Sequence, residues 1–307
     1  MAELESSGGT LMKFNKRLAL LFVSLFALVL IAAACGEEEP TETGGSDSSE
    51  NGESSDFTVV EEGTLTVGSD IPYPPFEFEE AGELTGFDVE IVREVADRLG
   101  LENPDDAWIS TDFGTIFQQL ASGTSFDVVA AAVTAYAPEG TPASETVAER
   151  TAVVDFTIPF YPSLQSLTVD SEANPDITSV DSLPDGAKVG VQRATTGAFY
   201  AEQELTGAEL VTFEKAPQMY QQLQAGQLDA VFNDLPVTLE SIADKPGLEV
   251  VEQVETGEEY AIAVSKDNPE LTEAINGALE EMFDDGTFAE IYSKYFPEQD
   301  LPDYASE

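Results

Sequence analysis

Three segments of the sequence carry side chains whose types and positions suit recognition of a small charged molecule. The first is the stretch VGSDIPYPPFEF, which places Asp70, Tyr73 and Phe76 directly after a strand-like run. Because proline fixes φ, this loop holds its aromatic rings at low entropic cost, as a ligand platform at the carboxyl end of a strand requires. Taken alone, such a loop is more typical of a plug over a hydrophobic core.

The other two segments each contribute one charge. Arg150 is one of twelve basic residues in the chain and immediately precedes the apolar run 152–156. Its planar guanidinium matches a carboxylate through two parallel hydrogen bonds. Asp234 ends the segment LDAVFND, where a carboxylate could receive an ammonium group. Each residue also has a plain structural explanation, an ordinary salt bridge for Arg150 and a solvated loop position for Asp234.

Together the three segments supply a cation for a carboxylate, an anion for an ammonium group and aromatic rings for a side chain. These are the complementary parts of a zwitterionic amino acid. Burial of both ligand charges is tolerable only if each is paired and hydrogen-bonded, which explains the need for one Arg and one Asp. The combination therefore predicts an amino-acid-binding site.

The elements that must position these side chains follow a repeating order. Strand-like runs alternate with helical patterns at residues 65–68, 87–99, 128–133, 188–191, 197–205, 257–264, 269–283 and 288–295. This βαβα order predicts an α/β fold with mainly parallel sheets. A polar, proline-bearing stretch at 168–184 separates two such units, and the pattern alone leaves open which unit takes the end of the chain.

Composition excludes most enzyme classes. The chain has no histidine and one cysteine, so we exclude His-based triads, thiolate nucleophiles and ordinary zinc sites, and expect no cofactor and no metal. With 60 acidic and 12 basic residues the net charge is −48, which makes nucleic acid and anionic lipid poor partners. Such a charge is typical of life at high salt, where counterions screen the repulsion; an acidic cell-wall environment is the alternative.

The amino terminus has the pattern of a secretory signal. Lys16 and Arg17 precede an uncharged run that ends in three alanines and Cys35. The run is short for a bilayer core of roughly 30 Å, so a retained membrane helix is the alternative. Cys35 lies where a lipoprotein signal places the thiol that receives diacylglycerol. The run resembles a bacterial lipobox, although Ala32 stands where a larger aliphatic residue is usual. We therefore predict a lipoprotein signal peptide over 1–35, with Met12 as a possible true start, and a disordered acidic tether over 36–56.

From about residue 63 to 296 the chain resembles the family 3 periplasmic amino-acid-binding proteins of ABC importers. Seven segments occur in family order: LTVGSDIPYPPFEF, ELTGFDVEIVREVADRLG, ASGTSFDVVAAAVT, ERTAVVDFTIPFY, VGVQRATTG, GQLDAVFNDLP and KDNPELTEAINGALEEMFDDGTFAEIYSKYF. The resemblance implies a two-lobed type II periplasmic-binding-protein fold. Each lobe is then a mainly parallel sheet flanked by helices. Residues 57–161 plus 260–307 form lobe 1, residues 162–259 form lobe 2, and crossing strands near 160–163 and 259–262 form the hinge.

The resemblance also implies which residues hold the ligand's head group. In the family an Arg and a Thr bind the α-carboxylate, and they match Arg150 and Thr134. A turn of lobe 2, here Thr195 and Thr196, adds backbone and hydroxyl groups. The α-ammonium group meets an Asp and a carbonyl oxygen, which match the positions of Asp234 and Ala132.

Side-chain contacts match Asp70, Tyr73, Phe113 and Gln192. One departure concerns spacing: fifteen residues separate Thr134 from Arg150, where the family usually has about five. The stretch 136–146 is rich in Pro, Gly and Ala, and we expect it to form a loop at the rim of the pocket.

The implied function is extracytoplasmic capture of a polar or basic amino acid and its delivery to the permease of an ABC importer by hinge closure. Aliphatic ligands are disfavoured because Asp70 would be left without a partner. We expect a monomer that is anchored to the cell membrane by lipid. Two alternatives remain open at this point: an enzyme on the same fold, such as a cyclohexadienyl-type dehydratase, and the sensor module of a signalling receptor.

Overall fold

The computed structural model describes residues 57–305. The strands are β1 (Val67–Ser69), β2 (Phe78–Glu80), β3 (Glu83–Thr85), β4 (Trp108–Ser110), β5 (Val128–Val129), β6 (Thr134–Tyr136), β7 (Val154–Phe156), β8 (Tyr161–Asp170), β9 (Lys188–Gln192), β10 (Glu209–Phe213), β11 (Ala230–Asp234), β12 (Leu248–Tyr260) and β13 (Ala263–Ser265). The α-helices are α1 (Phe87–Arg98), α2 (Ile116–Ala121), α3 (Pro142–Val153), α4 (Thr196–Glu204), α5 (Ala216–Gln224), α6 (Leu235–Ile242), α7 (Pro269–Asp285) and α8 (Thr287–Tyr295).

The strands form two main sheets and one small hairpin. The first sheet has the order β4-β1-β5-β13-β7, the second has the order β10-β9-β11-β8-β12-β6, and β2 pairs with β3. All strands of the first sheet belong to the predicted lobe 1, and the second contains every strand that lies within the predicted lobe 2. The names lobe 1 and lobe 2 are kept below for these predicted ranges.

Both sheets are mixed, which corrects the prediction of mainly parallel sheets. Strands β4, β1 and β5 run parallel, as do β10, β9 and β11, because each βαβ unit returns its strand in the same direction. Strand β13 is antiparallel to β5 and β7, and β8 is antiparallel to β11 and β12. The antiparallel pairs arise where the chain passes from one sheet to the other and back.

The crossing strands are the two longest in the described range. Their register pairs Tyr161 with Tyr260, at the predicted hinge position. Both rings are fully buried, and Phe76 packs edge-on against each of them, with centroid separations of 5.1 and 5.4 Å. The ring of Phe296, which follows α8, packs at a tilt against Tyr161, with a centroid separation of 4.7 Å. The segment after α8 therefore packs against the first residue of β8.

The helices form where the apolar residues recur at helical spacing. On α1 the side chains of Val89, Val92 and Val95 are buried, and Gly100 follows the helix with a φ of 71° that favours glycine. On α7 the buried side chains include Leu271, Ile275 and Leu279, each four residues from the next. These faces cover the sheets and hold the strand ends in place.

Two predicted elements differ from the structure. The strand-like run 128–133 contributes only β5, because Ala132 adopts a left-handed backbone with a φ of 48° that ends the pairing. The stretch 136–146 is only partly a loop, since α3 begins at Pro142, a residue type that suits the first turn of a helix. Arg150 therefore lies in the last turn of α3, and the following strand begins at Val154.

The predictions for the signal peptide, for Cys35, for Met12 as a start and for the 36–56 tether fall outside the described residues. Between residues 57 and 305 no helix combines the length and the apolar character needed to cross a bilayer.

Candidate functional site

A small cavity lies between the two lobes and is lined by all ten residues predicted to bind the ligand. Its volume is about 20 Å³, close to that of a single water site. The lining residues are Asp70, Tyr73, Phe113, Ala131, Ala132, Thr134, Arg150, Gln192, Thr195, Thr196 and Asp234. Only Ala131 was not among the predicted positions. Side chains of the two lobes touch across the cavity, so the structure is closed.

The cavity lies where the parallel strands of both sheets end. Asp70 and Tyr73 follow β1, whereas Gln192 ends β9 and Asp234 ends β11. Thr195 caps α4, because its hydroxyl accepts a hydrogen bond from the backbone N–H of Ala198. The carboxyl ends of parallel strands are the usual place for ligands in α/β sheets, and here two such edges face one another.

Arg150 provides a buried cation at one side of the cavity. The residue is 5% exposed, and its guanidinium donates to the carbonyl oxygens of Thr134 (2.7 Å) and Ala194 (3.3 Å). The rings of Phe113 and Phe117 lie 5.3 and 5.1 Å from its Cζ atom. Burial lowers the pKa of Arg150 to about 10. Among residues 57–305 it has no carboxylate within 4.0 Å, so this buried positive charge has no ion-pair partner.

Two hydroxyl groups beside Arg150 converge on an acid that the sequence analysis did not single out. Thr134 of lobe 1 and Thr196 of lobe 2 donate to the same oxygen, Oε2 of Glu258, at 2.7 and 2.6 Å. Glu258 lies on β12 and is 1% exposed. The two hydroxyls predicted to bind a ligand carboxylate therefore already hold a carboxylate of the protein, which bridges the lobes.

Asp234 lies on the other side of the cavity in a network of donors. The Tyr73 hydroxyl donates to its Oδ2 at 2.6 Å, and the Gln165 amide donates to its Oδ1 at 2.5 Å. The Gln165 side chain fits closely against the backbone of Gly197, where any Cβ would lie only 2.7 Å from Oε1 of Gln165. That amide oxygen is buried and has no hydrogen-bond partner in the structure. Asp234 and this oxygen are both acceptors, as an ammonium group requires.

Asp70 forms the third side and is bound from lobe 2. Gln192 donates from Nε2 to Oδ2 of Asp70 at 2.6 Å, and the Lys215 ammonium pairs with Oδ1. Asp70 is 2% exposed, whereas the Lys215 side chain is 28% exposed, so water reaches the pair from the lysine side. The sequence analysis did not predict Lys215. It gives Asp70 a partner within the protein, which removes the argument that an aliphatic ligand would leave this acid unpaired.

Burial dominates the electrostatics of the acids in and around the cavity. It raises the pKa of Asp70 and of Asp234 to about 6, although Lys215 acts in the opposite direction on the first and Tyr73 on the second. Burial likewise raises the pKa of Asp88 to about 7. Close acids with raised pKa values in a cleft are typical of a functional site.

Ala132, whose carbonyl oxygen is predicted to contact the ligand, has a left-handed backbone conformation with a φ of 48°. Asp88 accepts a hydrogen bond from the Ala132 N–H at 2.9 Å, and this bond holds the residue in its left-handed conformation. Asp88 is on α1, so the first helix of lobe 1 shapes the wall of the cavity. A residue other than glycine in this region of φ is uncommon and is often found at binding sites.

Sequence reasoning missed Gln165, Lys215 and Glu258, which hold the predicted residues in place. Lys215 had a signal, because it is one of seven lysines in a very acidic chain. Glu258 had none, because nothing in the sequence separates one buried acid from the other 59 acidic residues. Gln165 is an uncharged residue on β8, and the sequence analysis had predicted only the first residues of this strand, near 160–163.

Two mixed sheets joined by paired crossing strands, with a closed polar cavity between them, define the class of two-lobed, type II periplasmic binding proteins. Comparison with known proteins agrees. The model of the family "Bacterial extracellular solute-binding proteins, family 3" matches residues 65–298. The chain belongs to this family.

Individual relatives bind amino acids. The L-cystine-binding protein TcyJ of Escherichia coli (strain K12) is 32% identical over 240 residues, which cover 78% of this chain and 84% of the relative. A solved structure of an ancestral arginine-binding protein bound to arginine is 36% identical, with a TM-score of 0.68, and covers 76% of this chain and 98% of its own. The ancestral amino acid-binding protein AncCDT-1, described as a precursor of cyclohexadienyl dehydratase, is 31% identical, with a TM-score of 0.65 and coverage of 76% and 95%.

Proposed function

We propose that this protein captures a free amino acid between its lobes, at the residues that line the cavity, and delivers it to the permease of an ABC importer. The closed cavity of about 20 Å³ has room for a single water, so the lobes must part to admit the ligand. The observation that carries the proposal is the unpaired, buried guanidinium of Arg150 in the same cavity as the Asp234 carboxylate. A buried charge is costly until it is paired, so each group has free energy to gain from the opposite charge of a zwitterion.

The head group of the ligand fits the remaining donors and acceptors. Its carboxylate would take the place of the Glu258 oxygen as acceptor for Thr134 and Thr196, beside Arg150. Its ammonium group would lie against Asp234 and the free amide oxygen of Gln165. Arg150 and Thr134 of lobe 1 would hold the carboxylate together with Thr196 of lobe 2, whereas Asp234 and Gln165 of lobe 2 would hold the ammonium group. The zwitterion would thus connect the two lobes, so binding favours the closed arrangement of the hinge.

The chain acts in this proposal as a binding protein and leaves its ligand unchanged. The three relatives described above are named for amino-acid binding, and one of them is a precursor of a dehydratase. A dehydratase would consume its ligand. Mass spectrometry of the ligand recovered after prolonged incubation separates the two functions, since a binding protein returns the amino acid intact.

The location and state of the protein follow from the same proposal. We infer an extracytoplasmic, monomeric protein held at the membrane through lipid on Cys35. The measurement is the mass of the amino-terminal peptide from membrane-extracted protein: a diacylated Cys35 is the expected result. A peptide that begins at Met1 or Met12 with a free thiol would contradict it.

The function itself is tested by a thermal-shift screen of the full chain at high and low salt against the common amino acids, dicarboxylates and sugars. A ligand at about a hundred times its Kd stabilises the folded state by roughly 2.7 kcal/mol, which raises the melting temperature by several degrees. One or a few amino acids should produce this shift. A shift with another solute class and none with amino acids would refute the proposed function.

A further inference from the structure

The Asp70 side of the cavity contains a charge pair that connects the lobes. Lys215 immediately precedes α5 of lobe 2, and its ammonium group reaches the loop after β1 in lobe 1. There it binds Oδ1 of Asp70 and donates to the carbonyl oxygen of Ile71 at 3.0 Å. Lys215 therefore places a positive charge at the side of the cavity where the resemblance puts the ligand's side chain.

Both oxygens of Asp70 are occupied by donors from lobe 2. Lys215 binds one oxygen and the Gln192 amide binds the other at 2.6 Å. The same Gln192 nitrogen also donates to the carbonyl oxygen of Glu214 at 3.1 Å. The charge of Asp70 is thus balanced within the protein, and each of its two oxygens already accepts a hydrogen bond.

The amide of Gln192 leaves one group unsatisfied. Its Nε2 must face Asp70, because a carboxylate accepts and cannot donate, and this orientation fixes the position of Oε1. That oxygen is buried and has no hydrogen-bond partner among residues 57–305. It belongs to a side chain that is 2% exposed and lines the cavity. A buried acceptor without a partner carries a desolvation cost that a donor on the ligand would remove.

Other charges near Asp70 do not change this balance. Arg193 and Glu214 form their own ion pair at 2.5 Å. Asp112 adds negative charge near Asp70 without lining the cavity, and burial raises the pKa of Glu77 well above its usual range. Within the described residues, Asp70 is thus the acid at this side of the cavity to which a cationic side chain could bind, and Lys215 already occupies it.

We propose that Lys215 makes this site select a neutral amino acid whose side chain donates a hydrogen bond to Gln192, in preference to a basic one. The inference rests on the proposed function and narrows its ligand class. A basic side chain would have to share Asp70 with Lys215, which brings two positive charges together in a buried site. A neutral donor such as an amide satisfies Gln192 without adding charge.

The test compares L-glutamine, L-arginine and L-methionine by titration calorimetry on the full chain and two variants. Lys215→Met removes the charge and keeps most of the unbranched apolar side chain. Lys245→Met is the matched control, because Lys245 is also in lobe 2 but binds Asp244 and the Ser241 carbonyl oxygen away from the cavity. Wild-type protein should bind glutamine more tightly than arginine and methionine. Lys215→Met should shift the arginine-to-glutamine affinity ratio by roughly tenfold or more towards arginine, the scale of a like-charge contact near a protein surface, and Lys245→Met should leave the ratio unchanged.

A second variant keeps the test decisive if Lys215→Met does not fold. Gln192→Leu removes the free acceptor, so it should abolish the preference for glutamine over methionine. An unchanged ratio in Lys215→Met, or a wild-type protein that prefers arginine, overturns the role of Lys215 and leaves the proposed function standing. If the wild-type protein binds no amino acid at all, both proposals fail.

Discussion

Replacing Arg150 by methionine separates ligand binding from folding in this protein. The guanidinium is buried, and burial lowers its pKa from 12.5 to about 10. At 1.36 kcal/mol for each pKa unit, that difference corresponds to roughly 3 kcal/mol of unfavourable burial in the closed, ligand-free protein. The charge is tolerated there through hydrogen bonds to the carbonyl oxygens of Thr134 and Ala194, at 2.7 and 3.3 Å.

Those two hydrogen bonds are worth about 1.5–3 kcal/mol each, because the donor is charged. Methionine removes the burial cost together with the bonds and keeps most of the apolar volume against Phe113 and Phe117. The opposing terms are of similar size. The free energy of unfolding of the ligand-free variant should therefore lie within about 3 kcal/mol of the wild-type value, as measured by denaturant titration.

Binding responds differently, because the ligand carboxylate then has no buried cation. Loss of one partner of a buried pair costs about 3–5 kcal/mol, which raises Kd by roughly a hundredfold to several thousand-fold. A ligand concentration that stabilises wild type by about 2.7 kcal/mol should then stabilise the variant by less than about 0.5 kcal/mol. Titration calorimetry and thermal shift on the same samples measure both quantities.

The matched control is Arg93→Met. It removes the ion pair between Arg93 on α1 and Asp105, and it should alter neither the affinity for the amino acid nor the ligand-induced shift in melting temperature. The reasoning is refuted if Arg150→Met binds the amino acid with wild-type affinity. It is also refuted if the variant unfolds in the absence of ligand, since Arg150 would then be a structural residue.

Two further predictions concern pH and salt. Burial raises the pKa of Asp234 to about 6, and a bound ammonium group favours the ionised form of this acid. Amino-acid affinity should therefore rise as pH increases through about 6, and calorimetry should show that binding below this pH releases a proton. Tyr73→Phe removes a hydrogen bond to Asp234 at 2.6 Å, so it should raise the pKa of Asp234 and move the rise in affinity to higher pH. A pH-independent affinity between 5 and 8 would exclude Asp234 as the ammonium's partner. Raising NaCl from about 0.05 to 2 M should increase the melting temperature, because the net charge of −48 repels itself and salt screens it; a decrease would count against adaptation to high salt.

The local pattern of apolar residues predicted the positions of several helices. The helices α1, α4, α7 and α8 begin and end within two residues of their predicted limits, because the spacing of apolar residues sets which face of a helix is buried. The sequence pattern did not predict that the sheets contain both parallel and antiparallel strand pairs. A strand such as β13 has the same apolar composition whether its neighbours run parallel or antiparallel, so only the path of the chain between the sheets determines the direction.

The sequence by itself determined which kinds of groups the site contains. Asp70, Arg150 and Asp234 stand beside apolar strand-like runs, and a scarce cation with two well-placed acids indicated a zwitterionic ligand before any geometry was known. That inference needs only local position, because a charge at the end of a buried strand must lie near the edge of a sheet.

Only the tertiary structure decided how these groups are paired. Lys215 meets Asp70 across 145 positions of sequence, and Glu258 meets Thr134 across 124. An ion pair or a hydrogen bond between residues so far apart leaves no periodic pattern in the sequence, because the partners meet only when the closed lobes bring their surfaces together. The charge that each acid presents to a ligand depends on those partners, and for that reason ligand specificity is a property of the folded protein.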